Sequence, residues 1–208
     1  MTRSATQAPT QGETTPAAHD MASVTPVWSA TDSVSGIADA TRTDNSVNGK
    51  VDTGSPAGSK IFTASIKDKA GNLQTKDVPY KVNYAIANAG HFLQPINSDG
   101  SSLFKLGTCT IPCKFQILDV NNVPVEASVA PQIFVKFSDP TPDGTTVEGI
   151  SSGAANVDNL FRYSTGQYIF NLSTKKLGMI YVDKIGDWYI TAKLDSGQTI
   201  TDRVSVKK

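Results

Sequence analysis

The two cysteines of the chain, Cys109 and Cys113, are the residues with the clearest capacity for chemistry. They lie four positions apart in the segment LGTCTIPCKFQI, and such a pair can ligate a metal, act as a redox pair or clip a strand. On a flat β-strand their Cα atoms are about 13 Å apart, beyond the roughly 7 Å that a disulfide tolerates. Pro112 disfavours a helix that would shorten this distance. Spacing alone leaves the alternatives open.

The histidines of the sequence are poorly placed to form a zinc site with these thiols or to act as a catalytic base. A zinc site needs two further ligands, and His19 and His91 are poor candidates because one lies in a polar leader and the other at a predicted junction. His91 is a formal candidate for a general base, but packing beside Phe92 is the favoured interpretation. The sequence contains no phosphate-binding glycine loop.

Acidic and amide side chains at predicted turns form a candidate calcium site. Their oxygens are suitable ligands for calcium, although the same residue types also cap turns by accepting hydrogen bonds from their own backbone. The spacing matches no EF-hand loop, and apart from this calcium option no cofactor is expected. The candidates are Asp32, Asp39, Asp68, Asn72 and Asp99.

A sugar-binding surface is a further alternative, and it depends on Tyr189. This residue follows Trp188 in a predicted strand, and successive side chains of a strand point to opposite faces. If Trp188 faces the core, Tyr189 faces solvent and can belong to an aromatic platform, although most strand aromatics belong to cores. Tyr189 is therefore the candidate ligand-binding residue.

A hydrolase with two carboxylates is the remaining catalytic alternative. Such chemistry requires a defined separation between the acid and its partner. The candidate pairs combine Glu126 or Glu148 with Asp143 or Asp158, and their spacing selects none of them.

Composition excludes several partner classes. The 208 residues carry 19 basic and 19 acidic side chains, so the net charge is zero, and no overall field attracts nucleic acid. The apolar runs are much shorter than the roughly 20 residues of a membrane-spanning helix. We therefore expect a soluble protein without nucleic-acid or membrane-spanning function.

The organisation along the chain predicts an all-β protein. Residues 1–22 are polar and lack the apolar core of a secretory signal, which predicts a disordered leader in an excerpt of a longer protein. Residues 23–88 and 89–208 are predicted as two β-sandwich domains, joined by an exposed linker around NAGHFLQPIN. In KIFTASIKD, the apolar residues Phe62, Ala64 and Ile66 alternate with polar ones. In YKVNYAI, Tyr84 and Ile86 extend a similar alternation.

Hairpins are clearest in the second half. LFRYSTGQYIFNL places Ser164, Thr165 and Gly166 between two strands, with a glycine available for a positive φ. DWYITAKL is followed by the turn DSGQ and the strand TITDRVSV. This spacing of short strands and turns is typical of a sandwich.

The segment from about Phe92 to Lys207 resembles the PxKF domain, an immunoglobulin-like module at the C-terminal ends of bacterial and archaeal secreted and cell-surface proteins. Its motif is Pro112-Cys113-Lys114-Phe115. The preceding stretch, with VWSATDSVSGIADA and the Asp-x-Ala-Gly-Asn turn at 68–72, is similar to a bacterial immunoglobulin-like repeat.

These resemblances imply two tandem immunoglobulin-like domains that act outside the cell or at its surface, with no catalytic residue to transfer. The implied function is a non-catalytic spacer, stalk or adhesion element of a larger protein. Its partners are then other domains of that protein, with a surface polysaccharide or protein as a further partner.

Compared with the family's usual motif GSTIPVKF, this chain carries one extra residue between Gly107 and Pro112. A β-bulge there would bend the strand, and in the implied oxidising compartment a Cys109 to Cys113 disulfide becomes the leading prediction, ahead of two reduced core thiols.

Overall fold

The computed structural model describes residues 17–18, 24–54, 56–107, 109–137, 147–175 and 185–208. Strands dominate these ranges, and helical structure is limited to short segments, which confirms the predicted all-β class. The chain divides into two compact units, Met1–Asn83 (unit 1) and Tyr84–Lys208 (unit 2). None of the helices in the described ranges is long and apolar enough to span a membrane.

Unit 1 contains a four-stranded sheet in the order β1-β4-β3-β2. A single 3-10 turn, Asp39–Thr41, precedes β2. The long antiparallel hairpin β3-β4 forms because the segment 68–72 closes its turn. The strands are β1 (Ala17–Ala18), β2 (Thr43–Asp44), β3 (Gly58–Lys67) and β4 (Leu73–Asn83).

Alternation along β3 is as the sequence predicts. Phe62, Ala64 and Ile66 are buried on one face, because a strand points every second side chain to the same side. The predicted leader is corrected at one point, since Ala17–Ala18 pairs in parallel with Val82 and Asn83 of β4. The backbone groups at that edge of β4 give these two residues an ordered partner. The other leader residues, with His19, lie outside the described ranges.

Unit 2 contains a five-stranded sheet in the order β10-β9-β13-β14-β6, a three-stranded sheet in the order β11-β12-β7, and the short pair β5-β8. A helical turn, α1 (Ala87–Gly90), follows β5. The strands are β5 (Ala85–Ile86), β6 (Leu103–Lys105), β7 (Thr110–Phe115), β8 (Ile117–Leu118), β9 (Gln132–Phe137), β10 (Val147–Glu148), β11 (Arg162–Ser164), β12 (Gln167–Ser173), β13 (Gly186–Lys193) and β14 (Thr199–Lys207).

The inner faces of the two larger sheets pack on each other as a sandwich. An added Cβ at Gly149 would lie 2.8 Å from Ile133 of one sheet and 3.2 Å from Leu172 of the other, so only glycine fits between them. Phe115 lies within aromatic contact of both Phe161 and Tyr168, at centroid distances of 4.9 and 5.0 Å. The core of unit 2 therefore lies between its sheets.

Both predicted hairpins of unit 2 are present. Ser164 pairs with Gln167, and the loop consists of Thr165 and Gly166, both with positive φ, which is the geometry that suits the twist of a two-residue hairpin. In β13, Trp188 and Ile190 are buried, and the strand turns back into β14 through residues 195–198.

The boundary between the units lies a few residues before the predicted position at 88/89. Ala85 and Ile86 pair with Leu118 and Ile117, so this segment belongs to unit 2 and does not continue β4. The predicted exposed linker is also corrected, because Phe92 and Ile96 are fully buried in the described structure. Apolar side chains in this segment have a core available, and their burial outweighs the turn signals around them.

Candidate functional site

The cysteines do not form the predicted disulfide. Cys109 and Thr174 continue the ladder that pairs β7 with β12: the Thr174 N–H donates to the Cys109 carbonyl, and the Cys109 N–H donates to Thr174 Oγ1, both at 3.1 Å. From Thr110 to Phe115 the register is unbroken. The predicted bulge is therefore absent from this ladder, and an extended strand holds the two sulfurs too far apart to bond.

The Cys113 side chain is fully buried and points into the core, which corresponds to the alternative of an inert core thiol. Burial raises the pKa of the Cys113 thiol well above its ordinary value, because the thiolate loses its hydration. Phe115 faces the same way, while Pro112 lies on β7 at the edge of the three-stranded sheet. An edge strand tolerates a residue without a backbone donor.

Four of the five calcium candidates have side chains engaged in turn chemistry, whereas Asp39 is exposed at the start of the 3-10 turn. Asp68 accepts hydrogen bonds from the Asn72 backbone N–H at 2.8 Å and the Asn72 side-chain amide at 2.7 Å, and these bonds hold its pKa below the ordinary range. Asp32 accepts from the Val34 backbone, and Asp99 from the Ser101 backbone. The described residues contain no group of three or more acidic, histidine or cysteine side chains arranged for a metal.

The remaining catalytic candidates do not assemble into a described site. Glu126 and Asp158 are exposed, Glu148 is exposed on β10, and Asp143 lies outside the described residues. His91 is bound instead to Asp202: its Nδ1 lies 2.6 Å from one carboxylate oxygen, and the Phe92 N–H donates to the other at 2.7 Å. Asp202 is 4% exposed. This arrangement fixes the start of unit 2 to β14.

The first residue of unit 2 is bound beside the start of β14. This residue, Tyr84, donates its N–H to Gln198 Oε1 at 2.7 Å and accepts from Gln198 Nε2 at 3.0 Å. Gln198 immediately precedes β14, and Lys207 is the last residue of that nine-residue strand. At about 3.3 Å per residue these two residues lie about 30 Å apart.

β14 also pairs with β6, which is the earliest strand in sequence of the five-stranded sheet. β6 runs parallel to β14, with Leu103 opposite Ser205 and Lys105 opposite Lys207. The Ser205 N–H donates to the Ser102 carbonyl at 2.8 Å, and the Leu106 N–H donates to the Lys207 carbonyl at 2.7 Å. Tension that pulls β6 and β14 in opposite directions loads these bonds in shear, so they share the force.

The outer face of the five-stranded sheet presents Tyr189 to solvent. Its side chain is 39% exposed while Trp188 is 1% exposed, so the predicted alternation of these two residues is observed. Tyr189 pairs with Lys136 of β9 on one side and with Arg203 of β14 on the other. Three neighbouring strands therefore place an aromatic ring between two cationic side chains, with Cβ separations of about 5 Å.

Basic residues outnumber acidic ones on this outer face. The strand pairing places five exposed basic residues on this face within the described ranges: Lys105, Lys136, Lys193, Arg203 and Lys207. The acidic residues on this face are Asp187 and Glu148. Asp187 accepts from Arg203 Nη1 at 3.0 Å and also from the Ser205 hydroxyl.

Sequence reasoning found Tyr189 but missed its neighbours. Lys136 precedes Arg203 by more than sixty positions in the sequence, and only the strand order β9-β13-β14 brings them to the same ring.

Sequence reasoning also missed a second cluster, which lies in unit 1. The Arg42 guanidinium lies 4.4 Å from the Trp28 ring centroid, and Trp28 Nε1 donates to Asp44 at 3.0 Å. These partners border an open surface cavity of about 430 Å³.

No protein-family model matches the chain, and no curated protein matches it in sequence. Among solved structures, it is similar to the insect immune protein hemolin (15% identity, TM-score 0.25, 72% of this chain and 29% of hemolin). It is also similar to cadherin-like domains 1 to 4 of zebrafish RET (12%, 0.28, 73% and 30%) and to domains 4–9 of surface layer protein SbsC (14%, 0.26, 80% and 21%). The matches span less than a third of each of those chains, and TM-scores this low carry no functional conclusion.

Proposed function

We propose that this chain is a non-catalytic spacer and adhesion module of a larger extracellular or cell-surface protein. The observation that supports this most directly is the placement of Tyr84 and Lys207 beside opposite ends of β14. Tyr84, where unit 1 joins unit 2, is bound beside the start of β14, so the nine-residue length of this strand separates that junction from Lys207. A fold alone does not define a function, so the proposal rests on this geometry.

The pairing of β6 with β14 suits such a role. In a parallel pair the hydrogen bonds are evenly spaced along the strands, and opposed pulling along the strands stretches them together. Additional contacts hold the preceding segment, because the buried Asp202 carboxylate binds both His91 and the Phe92 backbone. The extracellular setting is supported by the resemblance of residues 112–115 to the PxKF motif.

Single-molecule stretching of the full chain, placed between marker domains and pulled from its two ends, tests this proposal. Unit 2 comprises 125 residues (208 − 84 + 1), which extend to about 450 Å at about 3.6 Å each. We expect a distinct force peak followed by a length gain of about 400 Å once the folded length is subtracted. Unfolding at a force close to the instrument's noise would contradict a load-bearing role.

Two proline substitutions at adjacent positions, Lys105 at the end of β6 and Leu106 directly after it, give a matched pair for this measurement. Leu106→Pro removes the N–H that donates to the Lys207 carbonyl, and we expect a lower peak force. Lys105→Pro is the control, because alternate residues of β6 direct their N–H groups away from β14, toward the open edge of the sheet. Equal peak forces for the two variants would contradict the assignment of the load to this pair.

A further inference from the structure

We propose that the outer face of the five-stranded sheet binds an acidic polysaccharide. Tyr189 contacts the face of a sugar ring, and Lys136 and Arg203 contact acid groups on either side of it. The proposal names a partner for the adhesive part of the proposed function, but it rests on the side chains of one sheet and does not depend on how unit 2 bears force.

The register of three neighbouring strands is the first observation that supports a binding site at Tyr189. Tyr189 has Lys136 and Arg203 as its direct cross-strand partners, and neighbouring strands are about 4.8 Å apart. The two cations therefore flank the ring on both sides in one row across the sheet. An exposed aromatic ring offers an apolar surface for the C–H groups of a sugar, and its hydroxyl remains available for hydrogen bonds.

The ring is held beside an oriented cation. Arg203 donates from Nη1 to Asp187 at 3.0 Å, and Asp187 also accepts from the Ser205 hydroxyl. This contact limits the rotamers of the arginine side chain, so less conformational entropy is lost when its remaining N–H groups bind a carboxylate or sulfate. Asp187 is therefore a positioning residue for Arg203.

The distribution of charge carries the second step. The chain as a whole has zero net charge, yet this face carries five basic and two acidic side chains. Two acidic residues elsewhere in unit 2 are engaged by the fold: Asp119 accepts from the backbone of its own turn, and Asp202 is buried. The excess of positive charge on this face is complementary to an anionic partner.

The density of these charges favours a sugar polymer over a nucleic acid. The basic residues extend over three strand spacings, about 14 Å, and over about 26 Å along β14. Double-stranded DNA carries one charge per about 1.7 Å of its axis, and its binding sites are correspondingly rich in cations. A polyuronate carries a single charge on each sugar ring and exposes the faces of these rings, so its charges are more widely spaced than those of DNA and match cations interspersed with Tyr189 and threonine hydroxyls.

Binding titrations of the full chain with defined polymers test this inference. Polygalacturonate and chondroitin sulfate serve as uronate and sulfate probes, each with about one acid group per sugar ring. Fully methyl-esterified pectin and dextran are the neutral probes, and duplex DNA is a polyanion without exposed sugar faces. We expect binding to the two acidic polysaccharides that weakens at least tenfold between about 0.05 and 0.5 M NaCl, because exposed charges are screened.

Three variants locate the site. Lys136→Gln should weaken binding about fivefold, as expected for one exposed ionic contact, and Tyr189→Ala about tenfold through the lost ring contact. Lys114→Gln is the matched control, because it removes one lysine from β7 in the other sheet and should leave binding unchanged. Melting curves of each variant show that unit 2 remains folded.

Several outcomes would overturn the inference. One is the absence of binding to both acidic polysaccharides. Another is binding of DNA as tight as that of the polysaccharides together with no effect of Tyr189→Ala, because this would indicate a general polyanion surface. An equal loss in Lys114→Gln would place the contact elsewhere. The stretching experiment does not involve this face of the sheet, so failure of polysaccharide binding and failure of the load-bearing proposal are distinguishable.

Discussion

The two units of this protein use their apolar residues in different ways. All of the largest fully buried side chains of the described structure belong to unit 2, and they include Trp188, Tyr168, Phe92, Phe115 and Phe170. In unit 1, the buried apolar side chains are smaller and fewer among the described residues, with Phe62 as the largest of them. Because apolar burial is the dominant favourable term in folding, unit 2 carries the larger share of the stability.

Unit 1 depends more on polar contacts. Asp52 accepts from Lys60 Nζ at 2.7 Å, and the hairpin turn is closed by the bonds between Asp68 and Asn72. Such exposed contacts each contribute little in water. This difference indicates that unit 2 can provide the rigid part of the module that resists mechanical force, whereas unit 1 unfolds more easily.

The largest expected effect is a loss of core packing in unit 2. Phe115→Ala removes a ring that contacts Phe161 and Tyr168, so we expect unit 2 to lose about 3–5 kcal/mol of unfolding free energy. Phe62→Ala in unit 1 should cost less, about 2 kcal/mol, because Phe62 borders an open cavity of about 370 Å³ and is not enclosed on all sides.

Tryptophan fluorescence separates the two units in this experiment. Each unit contains one of the two tryptophans, Trp28 in unit 1 and Trp188 in unit 2. Denaturant unfolding of each alanine variant in a Trp28→Phe background follows Trp188 alone, and comparison with the parent background gives the transition of unit 1. If Phe62→Ala destabilises its unit as much as Phe115→Ala does, the proposed difference between the cores is wrong.

An intermediate effect is expected in the reactivity of Cys113. This thiol lies in the core of unit 2, and burial raises its pKa, so little reactive thiolate forms while the unit is folded. We expect alkylation of Cys113 to remain slow through the unfolding transition of unit 1 and to accelerate when unit 2 unfolds. Peptide mass mapping at increasing denaturant concentration measures this. Acceleration of Cys113 alkylation together with the first transition would show that the two units unfold as one.

Local patterns in the sequence predicted the elements whose partners are close in the chain. The burial of Phe62 and Ile66 on β3, the hairpin around Gly166 and the exposure of Tyr189 all follow from a two-residue period and a turn. The boundary between the units was displaced, because Tyr84 and Ile86 continue the apolar alternation of β4 even though the chain leaves that sheet after Asn83.

Features that depend on distant pairing could not be predicted. Asp202 binds His91 across 111 positions, and the basic face depends on which strands are neighbours. The disulfide prediction was wrong for a related reason. It assumed a bulge near Cys109, but the ladder with β12 continues through Thr174 and keeps the strand extended. Comparison with the family motif indicated an inserted residue. The conformation of the backbone at Cys109, however, is determined by its pairing with the neighbouring strand.

The smallest expected effect is a difference in acid sensitivity between the units. A hydrogen bond from Lys60 holds the pKa of Asp52 below its ordinary value of 3.8, so the folded state binds this proton less readily than the unfolded chain. The resulting stabilisation is present above about pH 4 and is lost as pH falls through the folded pKa. Of the described carboxylates with a lowered pKa, Asp44, Asp52 and Asp68 belong to unit 1 and Asp99 to unit 2.

Melting of the full chain between pH 6 and pH 2 should therefore lower the transition of unit 1 more than that of unit 2. Asp52→Asn should reduce this difference, while its cost at neutral pH stays below about 1 kcal/mol, the range of exposed ion pairs. Lys60→Met should give the same acid profile, because both variants remove the same contact. Asp39→Asn, an exposed carboxyl of the same unit, is the control. An equal response of Asp39→Asn and Asp52→Asn would mean that general charge repulsion, not the Lys60 contact, makes unit 1 sensitive to acid.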